Sequence, residues 1–466
     1  MNESPDIILF LSDDHAAWAT GCYGNSRVRT GNIDCLARNG VLMANAFTVT
    51  PVCSPARATL MTGRIPSQHG VHDYIGTAPD DDVDRNWLAN ETILPQLLRA
   101  RGYRTALAGK WHLGQERVAK QGFDQSCTIG PEYPIYHQGP RQFYRGAEPE
   151  TRDGMLARNI TEEALRYLRE RDRNAPLFLV VGQYATHSPW KGHPERLAQM
   201  FRGKEVTKEL PVEQYPFGIL MRESTDPTRL DPEEALCQYY AGVAEIDESV
   251  GAVMDELAAQ GRLDDSLIIY TSDHGLNCGH HGLWGKGNAT YPLNMVERSI
   301  RVPMIFHSPD RLMGRQRRTE MADHTDLFQT ILDFAGVVES KDERELRNSP
   351  GRSFLPLLTN EGHPAAWRAV QFCEYGPVRA ARTNRYKLSL YPDPAMNLLF
   401  DLEEDPEELD NRYGDPDLGH IRDELTQLIT GHFSSFREEQ FDGATVDRLP
   451  RYNPLEAWQP NAGHRH

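Results

Sequence analysis

The chain of 466 residues carries 50 basic against 67 acidic side chains, a net charge of −17, with 39% hydrophobic and 25% charged residues. That composition belongs to a globular protein with a large core, and its acidity argues against nucleic acid or an anionic membrane as partner. No apolar run approaches the roughly 20 residues of a membrane helix, and the seven cysteines (22, 35, 53, 127, 237, 278 and 373) are scattered without CxxC pairs, which suggests neither a disulfide framework nor a structural zinc site. Met1 to Asp6 shows neither a basic region nor a signal-type apolar segment. The expected location is the cytoplasm, or the periplasm or exterior if a leader has been removed.

Short apolar runs then alternate with helical patterns. Strands are expected at Ile7–Leu11, Val41–Phe47, Thr105–Ala108, Leu177–Val181, Leu267–Tyr270 and Met304–Phe306, and their unbroken hydrophobicity predicts parallel strands covered on both faces. Helices are expected over Glu91–Arg101, ending before Gly102, and over Thr161–Arg171, opening on a threonine suited to capping. A longer one, Pro232–Gln260, ends before Gly261 and carries Leu236, Tyr240, Val243, Ile246, Val250, Val253 and Leu257 as one stripe. The alternation predicts an α/β fold, a large sheet sandwiched by helices with right-handed crossovers. After about residue 365 the texture changes: "AVQFCEYGPVRAARTNRYKLSLY" and "NLLFDLEEDPEELDNRY" read as short antiparallel strands, followed by a helix over Ile421–Thr430 that stops at Gly431. The expected division is a large domain over 1–364 and a smaller C-terminal subdomain with an antiparallel sheet over 365–466.

The chemistry-bearing residues sit just past the carboxyl ends of these strands. "LFLSDDH" places Asp13 and Asp14 there, "IIYTSDHG" places Asp273 and His274, "TALAGKWHLG" adds Lys110 and His112, and "LFLVVGQYATHSPW" adds His187. In open parallel sheets ligands bind in the crevice outside those ends, so four strands deliver three Asp, three His and a Lys to one crevice. Taken singly, an Asp after a strand is usually a cap or turn former, a lone His is a core or surface residue, and Lys286 and Arg57 are solvated cations. Taken together, the carboxylates form a hard, oxygen-rich site suited to Ca²⁺ or Mg²⁺. Lys110, Lys286 and Arg57 then supply charge for a tetrahedral oxyanion.

One stretch, "TPVCSPARATLMTGR", places Cys53 two residues before a proline and four before an arginine at the mouth of a helix. "CSPAR" resembles the C-x-P-x-R signature of the formylglycine-dependent sulfatases, of the alkaline phosphatase-like superfamily. "TGR", "GKWHLG", "THSPW", "SDHG" and "GLWGKG" resemble that family's other signatures in its order, as do "MVERSIRVPMIF" and "LLFDLEEDPEELDN". The resemblance implies that a maturation enzyme oxidises Cys53 to the aldehyde formylglycine. It implies one divalent metal, Ca²⁺ foremost and Mg²⁺ or Mn²⁺ otherwise, held by Asp13, Asp14, Asp273, His274 and the modified Cys53. Many members carry Asn where this chain has His274, a softer ligand. Arg57 and Lys110 correspond to residues that contact the formylglycine and the sulfate, His112 to the base beside the nucleophile, and His187 and Lys286 to sulfate binding and the leaving alcohol. The fold implied is a large mixed, mostly parallel sheet between helices with a small C-terminal antiparallel subdomain.

The expected reaction is hydrolysis of a sulfate ester to an alcohol and sulfate. A hydrated aldehyde offers one hydroxyl to attack sulfur and a second whose deprotonation, by a base such as His112, expels sulfate without attack by water on sulfur. Pro55 suits a first helical turn, and Cys53 then sits where helix amides face an anion. The alternatives are a formylglycine-dependent phosphonate monoester or phosphodiester hydrolase, and a non-catalytic anion-binding protein if Cys53 is not converted. Expected substrates are a small ester or the end of an oligosaccharide, since the acidic surface disfavours long polyanions. Tyr74, Tyr136, His137, Trp190 and Arg382 are candidates to line the pocket, although core packing is the commoner role for any one of them, and His72 and Asp73 are better placed because they follow the helix that begins at Cys53.

Overall fold

The computed structural model describes residues 4–77, 82–131, 137–208, 210–221, 231–359 and 367–459. Ten strands build the main sheet: β1 (Ile7–Ser12), β2 (Val41–Phe47), β3 (Arg104–Gly109), β4 (Gln125–Ile129), β5 (Arg141–Arg145), β6 (Glu148–Arg152), β7 (Leu177–Gln183), β8 (Leu267–Ser272), β9 (Met304–His307) and β10 (Gln316–Asp323). They lie in the order β10-β2-β9-β8-β1-β7-β3-β4-β5-β6. The central run from β8 to β4 is parallel throughout.

Alternation along these strands decides which helices cover which face, because successive side chains point to opposite sides of a sheet. Ile8 and Phe10 of β1, Leu179 and Val181 of β7 and Ile268 and Tyr270 of β8 face one cluster. It is filled by α1 (Gly31–Asn39), α4 (Leu156–Glu170) and α5 (Pro232–Ala259) through Leu36, Ile160 and Val250, among others. Ile7, Leu9, Val180 and Ile269 face the other, filled by α2 (Cys53–Thr62), α3 (Leu94–Ala100) and α6 (His324–Phe334) through Leu60, Leu98 and Phe328. No helix among the described residues is long and apolar enough to cross a membrane.

Four expectations need correction. Met304–His307 is antiparallel to both neighbours, β2 and β8; a strand buried on both faces reads the same in either direction. Thr161 lies inside α4 rather than at its start, because Leu156, Ala157 and Ile160 extend the buried stripe by more than a turn, and its hydroxyl donates to Ala157 O (2.7 Å). The helix expected over Glu91–Arg101 begins at Leu94, where Gln96 Oε1 accepts the Ile93 N–H (2.9 Å). Gly431 does not end the last helix, α7 (Gly419–Ser435), because Phe433 continues the stripe of Leu425 and Ile429 into a shared core. Strands β4–β6 and β10 carried no apolar run by which to be found.

A separate antiparallel sheet of β11 (Gln371–Tyr375), β12 (Val378–Arg382), β13 (Tyr386–Leu390) and β14 (Leu398–Asp401) follows. α7 covers it through Leu425, Ile429 and Phe433 against Ala381, Leu388 and Leu399. The boundary expected between residues 364 and 365 lies outside the described residues. The small sheet docks on the large domain through Glu374, whose backbone N–H reaches Val49 O (2.9 Å) and whose carboxyl accepts from Ser67 N (2.8 Å) and Ser67 Oγ (2.6 Å).

Burial pushes the Glu374 carboxyl up to about 7, against an ordinary 4.5. Folding therefore favours its neutral form, so its stabilising contribution is fully present below the unfolded value and is lost as pH rises through 7. Glu374→Gln, which mimics the neutral acid, is expected to flatten the fall in stability between pH 5 and 8, by at most about 3 kcal/mol for a shift of this size. Urea unfolding of both proteins at each pH checks this; identical pH profiles refute it.

Candidate active site

β8, β1, β7 and β3 are consecutive neighbours, so the segments after their carboxyl ends converge on one crevice. Register carries this to the last residue, since Ser12 pairs with both Gln183 and Ser272. Ser272 Oγ then donates to Ser12 O (3.1 Å) and accepts the His15 N–H (3.0 Å), tying the two Asp-bearing turns together. Gly109 leaves β3 at φ 100°, where a Cβ would stand 2.3 Å from Gly182 O, so only glycine lets the chain turn there and swing Lys110 into the crevice. Asp14 (φ 57°) and His112 (φ 63°) sit in the left-handed region, a conformation that costs a non-glycine residue about 1 kcal/mol and gathers at functional sites.

Cys53 is the first residue of α2, a helix buried along all ten residues. Its first-turn amides have no intrahelical partner, so Pro55 loses nothing there and the helix end favours an anion. Cys53 Sγ stands 3.3 Å from Asp13 Oδ1, His274 Nε2 and Lys286 Nζ. Burial alone would raise the thiol, but Lys110, Lys286 and His274 pull it well below its ordinary value.

The cations are held by carboxylates. Lys110 Nζ pairs with Asp13 Oδ2, Lys286 Nζ with Asp14 Oδ1 (2.8 Å), and Arg57 Nε with Asp273 Oδ2 (2.9 Å) while its Nη1 donates to Lys110 O (3.1 Å). Asp13, Asp14, Cys53 and His274 each offer a donor atom within 4.8 Å of the others, all buried, a cluster able to hold a metal ion. Asp273 stands beside that set, its Oδ1 accepting the Asp14 N–H (3.3 Å) and lying 3.5 Å from His274 Nε2. Burial and the neighbouring Asp13 push Asp273 up to about 7, whereas Asp273 and Cys53 overcome burial to raise His274 to about 9.

The two remaining histidines have opposite electrostatics. His112 Nε2 donates to Ile75 O (2.9 Å), leaving Nδ1 as the basic nitrogen, and burial with Lys110 keeps the ring neutral. His187 Nδ1 donates to Ser188 O (2.7 Å), so Nε2 faces Lys286 Nζ (3.4 Å) and Asp14 Oδ2 (3.9 Å). Burial opposes its protonation, but Asp14 and Asp13 outweigh burial and Lys286 and hold it above the ordinary histidine value. Their surroundings thus favour the neutral form of one ring and the charged form of the other.

These groups open into a cavity of about 410 Å³ whose floor is Cys53, Lys110, His112, His187 and Lys286. Tyr74 lines it, as expected, but His72 and Asp73 do not. Both are fully buried, His72 Nε2 on Phe441 O (2.7 Å) and Asp73 among Tyr375, Asn453 and Ala457. Trp190 is buried against Trp284 (ring centroids 5.5 Å apart), His137 Nε2 donates to His187 O (3.0 Å), and Arg382 points away to Glu297 (3.1 Å). Tyr136 lies outside the described residues. Sequence reasoning missed Tyr184, three residues before His187. Its ring stacks on His187 (4.7 Å, 15°) and takes Lys110 Nζ at 5.1 Å from its centroid.

A model of the sulfatase family matches residues 5–337, and one of the N-sulphoglucosamine sulphohydrolase C-terminal region matches residues 279–434. The chain is 27% identical over 513 aligned residues to an N-acetylglucosamine-6-O-sulfatase of Bacteroides thetaiotaomicron, covering 94% of this chain and 88% of that one. A solved structure of a complex with its substrate D-glucosamine-2-N,6-O-disulfate matches with a TM-score of 0.79 at 25% identity, covering 94% of this chain and 99% of the other. The phosphonate monoester hydrolase of Agrobacterium radiobacter shares the fold (TM-score 0.72, 23% identity, 92% and 96% coverage). With a family match over more than two thirds of its length on the fold of a substrate-bound relative, this chain belongs to the sulfatase family and is a sulfuric ester hydrolase.

Proposed function

We propose that this sulfatase cleaves the sulfate ester of a small molecule or of the end of a saccharide, with formylglycine made from Cys53 by a maturation enzyme and one divalent ion, Ca²⁺ before Mg²⁺ or Mn²⁺. The cavity carries the reading: its 410 Å³ is of small-molecule size, with cationic and histidine nitrogens at one end. The sulfated amino sugars named for the relatives support a saccharide.

The donor set fits a metal. Asp14 Oδ2 is buried without a hydrogen-bond partner, and three further donors crowd beside it. Oxygen donors from Asp13, Asp14 and Asp273 with the single imidazole of His274 favour a hard cation. Bound there, the ion supplies charge that stabilises a deprotonated nucleophile and the sulfuryl oxygens. Formylglycine, once hydrated, supplies two hydroxyls on one carbon, one for attack and one for release.

The remaining work falls to side chains. Lys110 and Lys286 hold the sulfuryl group, His112 Nδ1 takes a proton at the nucleophile, and Arg57 anchors Asp273 and the Lys110 backbone. His187 gives its Nε2 proton to the ester oxygen as the S–O bond breaks, so the alcohol leaves neutral.

That assignment sets the test. Nitrophenolate departs readily as an anion and needs little help, whereas a sugar alkoxide needs the proton. His187→Ala is expected to lower turnover of a sugar 6-sulfate by about 10²-fold or more and of 4-nitrophenyl sulfate by less than about tenfold. Equal losses reduce His187 to a sulfate-positioning role. Faster wild-type turnover of a phenyl phosphonate ester than of any sulfate ester overturns the substrate reading in favour of phosphonate hydrolysis. Retention of an unoxidised Cys53 thiol together with absence of any turnover favours anion binding alone.

A further inference from the structure

The chain past α7 does not trail away. Residues 438–459 lie beyond the second family match and return along the loop that follows α2. Glu438 N donates to Ser67 O (2.9 Å), Tyr452 OH to Gly70 O (2.6 Å), and Gly76 N to Tyr452 O (2.8 Å). Asn453 Nδ2 donates to Tyr74 O (2.8 Å) and Asp73 Oδ2 (3.1 Å), and Ala457 N also reaches Asp73 Oδ2 (3.0 Å). Asp73 Oδ1 accepts from Tyr375 OH (2.6 Å). One fully buried carboxylate therefore ties three segments together: the loop, the small sheet and this strap.

Two consequences reach the active site. The strapped loop presents Ile75, whose carbonyl holds His112 Nε2 and whose N–H donates to Ser54 Oγ (3.0 Å) beside Cys53. The strap also brings Leu455 to the cavity wall, 52% exposed, with Tyr74 of the loop it binds. An apolar side chain held in water at the mouth of a polar pocket gains by being covered. Tyr74, Met221, Trp284 and Leu455 give the wall above the cations an uncharged, largely apolar character.

We propose that the strap is a substrate-recognition element in which Leu455 and Tyr74 contact the uncharged face of a ring in the ester's alcohol. The proposal rests on the sulfate-ester reading above and specifies the part of the substrate that the cations do not touch.

The probe is 4-nitrophenyl sulfate as the ring ester, with inorganic sulfate as a competitive inhibitor that fills the floor and does not reach the strap. Leu455→Asn keeps net charge unchanged, so attraction for sulfate is preserved while the apolar contact is lost. It is expected to raise KM for the ring ester about fivefold to tenfold, a loss in keeping with one apolar contact. The kcat and the sulfate inhibition constant should stay within about twofold, and Leu455→Met should restore the wild-type KM. Exposure of Leu455 makes loss of fold unexpected, and the melting temperature of each variant verifies it.

A KM that does not move, or a KM and a sulfate constant that rise together, overturns the proposal. If the wild type turns over no sulfate ester, the activity reading has failed and not this one. Calorimetric binding of 4-nitrophenyl sulfate against inorganic sulfate then decides: the ring ester must bind more tightly than sulfate in the wild type and lose that advantage in Leu455→Asn.

Discussion

Replacing Cys53 with serine is expected to leave a protein that releases at most one equivalent of alcohol per site and then stops, with a sulfated side chain at position 53. The serine hydroxyl occupies the place of Sγ, 3.3 Å from Asp13 Oδ1 and Lys286 Nζ, so deprotonation and attack on sulfur remain possible. Attack forms a bond from the introduced hydroxyl oxygen to sulfur and breaks the ester S–O bond, and the alcohol leaves with the His187 proton. What is missing is a second hydroxyl on the same carbon. No proton loss can then drive collapse to a carbonyl, and release requires water to attack sulfur. Steady-state turnover should fall by about 10⁴-fold or more. The burst of alcohol and the mass of the tryptic peptide check this, once the serine is shown to be unmodified, because some maturation enzymes oxidise serine as well. Sustained turnover by that verified protein means that two hydroxyls are not needed.

Asp14→Ala should lose metal and turnover together. Asp14 contributes charge to a cluster in which Lys286 Nζ (2.8 Å) and His274 Nε2 (3.2 Å) already lean on Oδ1, and its Oδ2 has no hydrogen-bond partner. Removing the carboxylate takes away a ligand and leaves a buried ammonium without its counter-charge. Metal content is expected to fall from about one ion per chain to less than a tenth of that, and turnover by about 10²-fold or more. Asp14→Asn separates ligand from charge. Asparagine tolerates the φ of 57° at this position, keeps an oxygen donor, and should bind metal more weakly than wild type but better than alanine. Elemental analysis of the three proteins beside their rates decides, and wild-type metal content in Asp14→Ala removes Asp14 from the ligand set.

How much of this was legible beforehand differs by region. The six apolar runs marked six of the ten strands because a strand buried on both faces needs hydrophobic residues at every position. Polar residues immediately after such a run must lie at a strand end, which is how Asp13, Asp14, Lys110, His112, His187, Asp273 and His274 could be gathered into one crevice. Strands β4–β6 and β10 have no such signature: β6 and the first half of β10, at the two edges of the sheet, are half open to water and tolerate polar residues, while β4 is buried yet built largely from Gln, Ser and Thr. The antiparallel direction of β9 left no trace because hydrophobic burial does not depend on strand polarity.

What the sequence by itself determined is which residues meet at the cavity floor, because they sit at fixed offsets from strand ends and a helix start, so local spacing translates directly into position. What only the tertiary structure decided is the cavity wall and the electrostatic surroundings of the histidines. Leu455 reaches the pocket through a strap whose Asn453 is anchored on Asp73, 380 residues earlier in the chain, and no pattern of spacing encodes such a contact. Asp73 and His72 were expected at the substrate, yet burial commits both to holding segments together. The opposite tuning of His112 and His187 likewise follows from which charges folding places nearby, Lys110 against one and Asp14 against the other. Electrostatic influence depends on distance through a low-dielectric interior, and that distance exists only once the chain has folded.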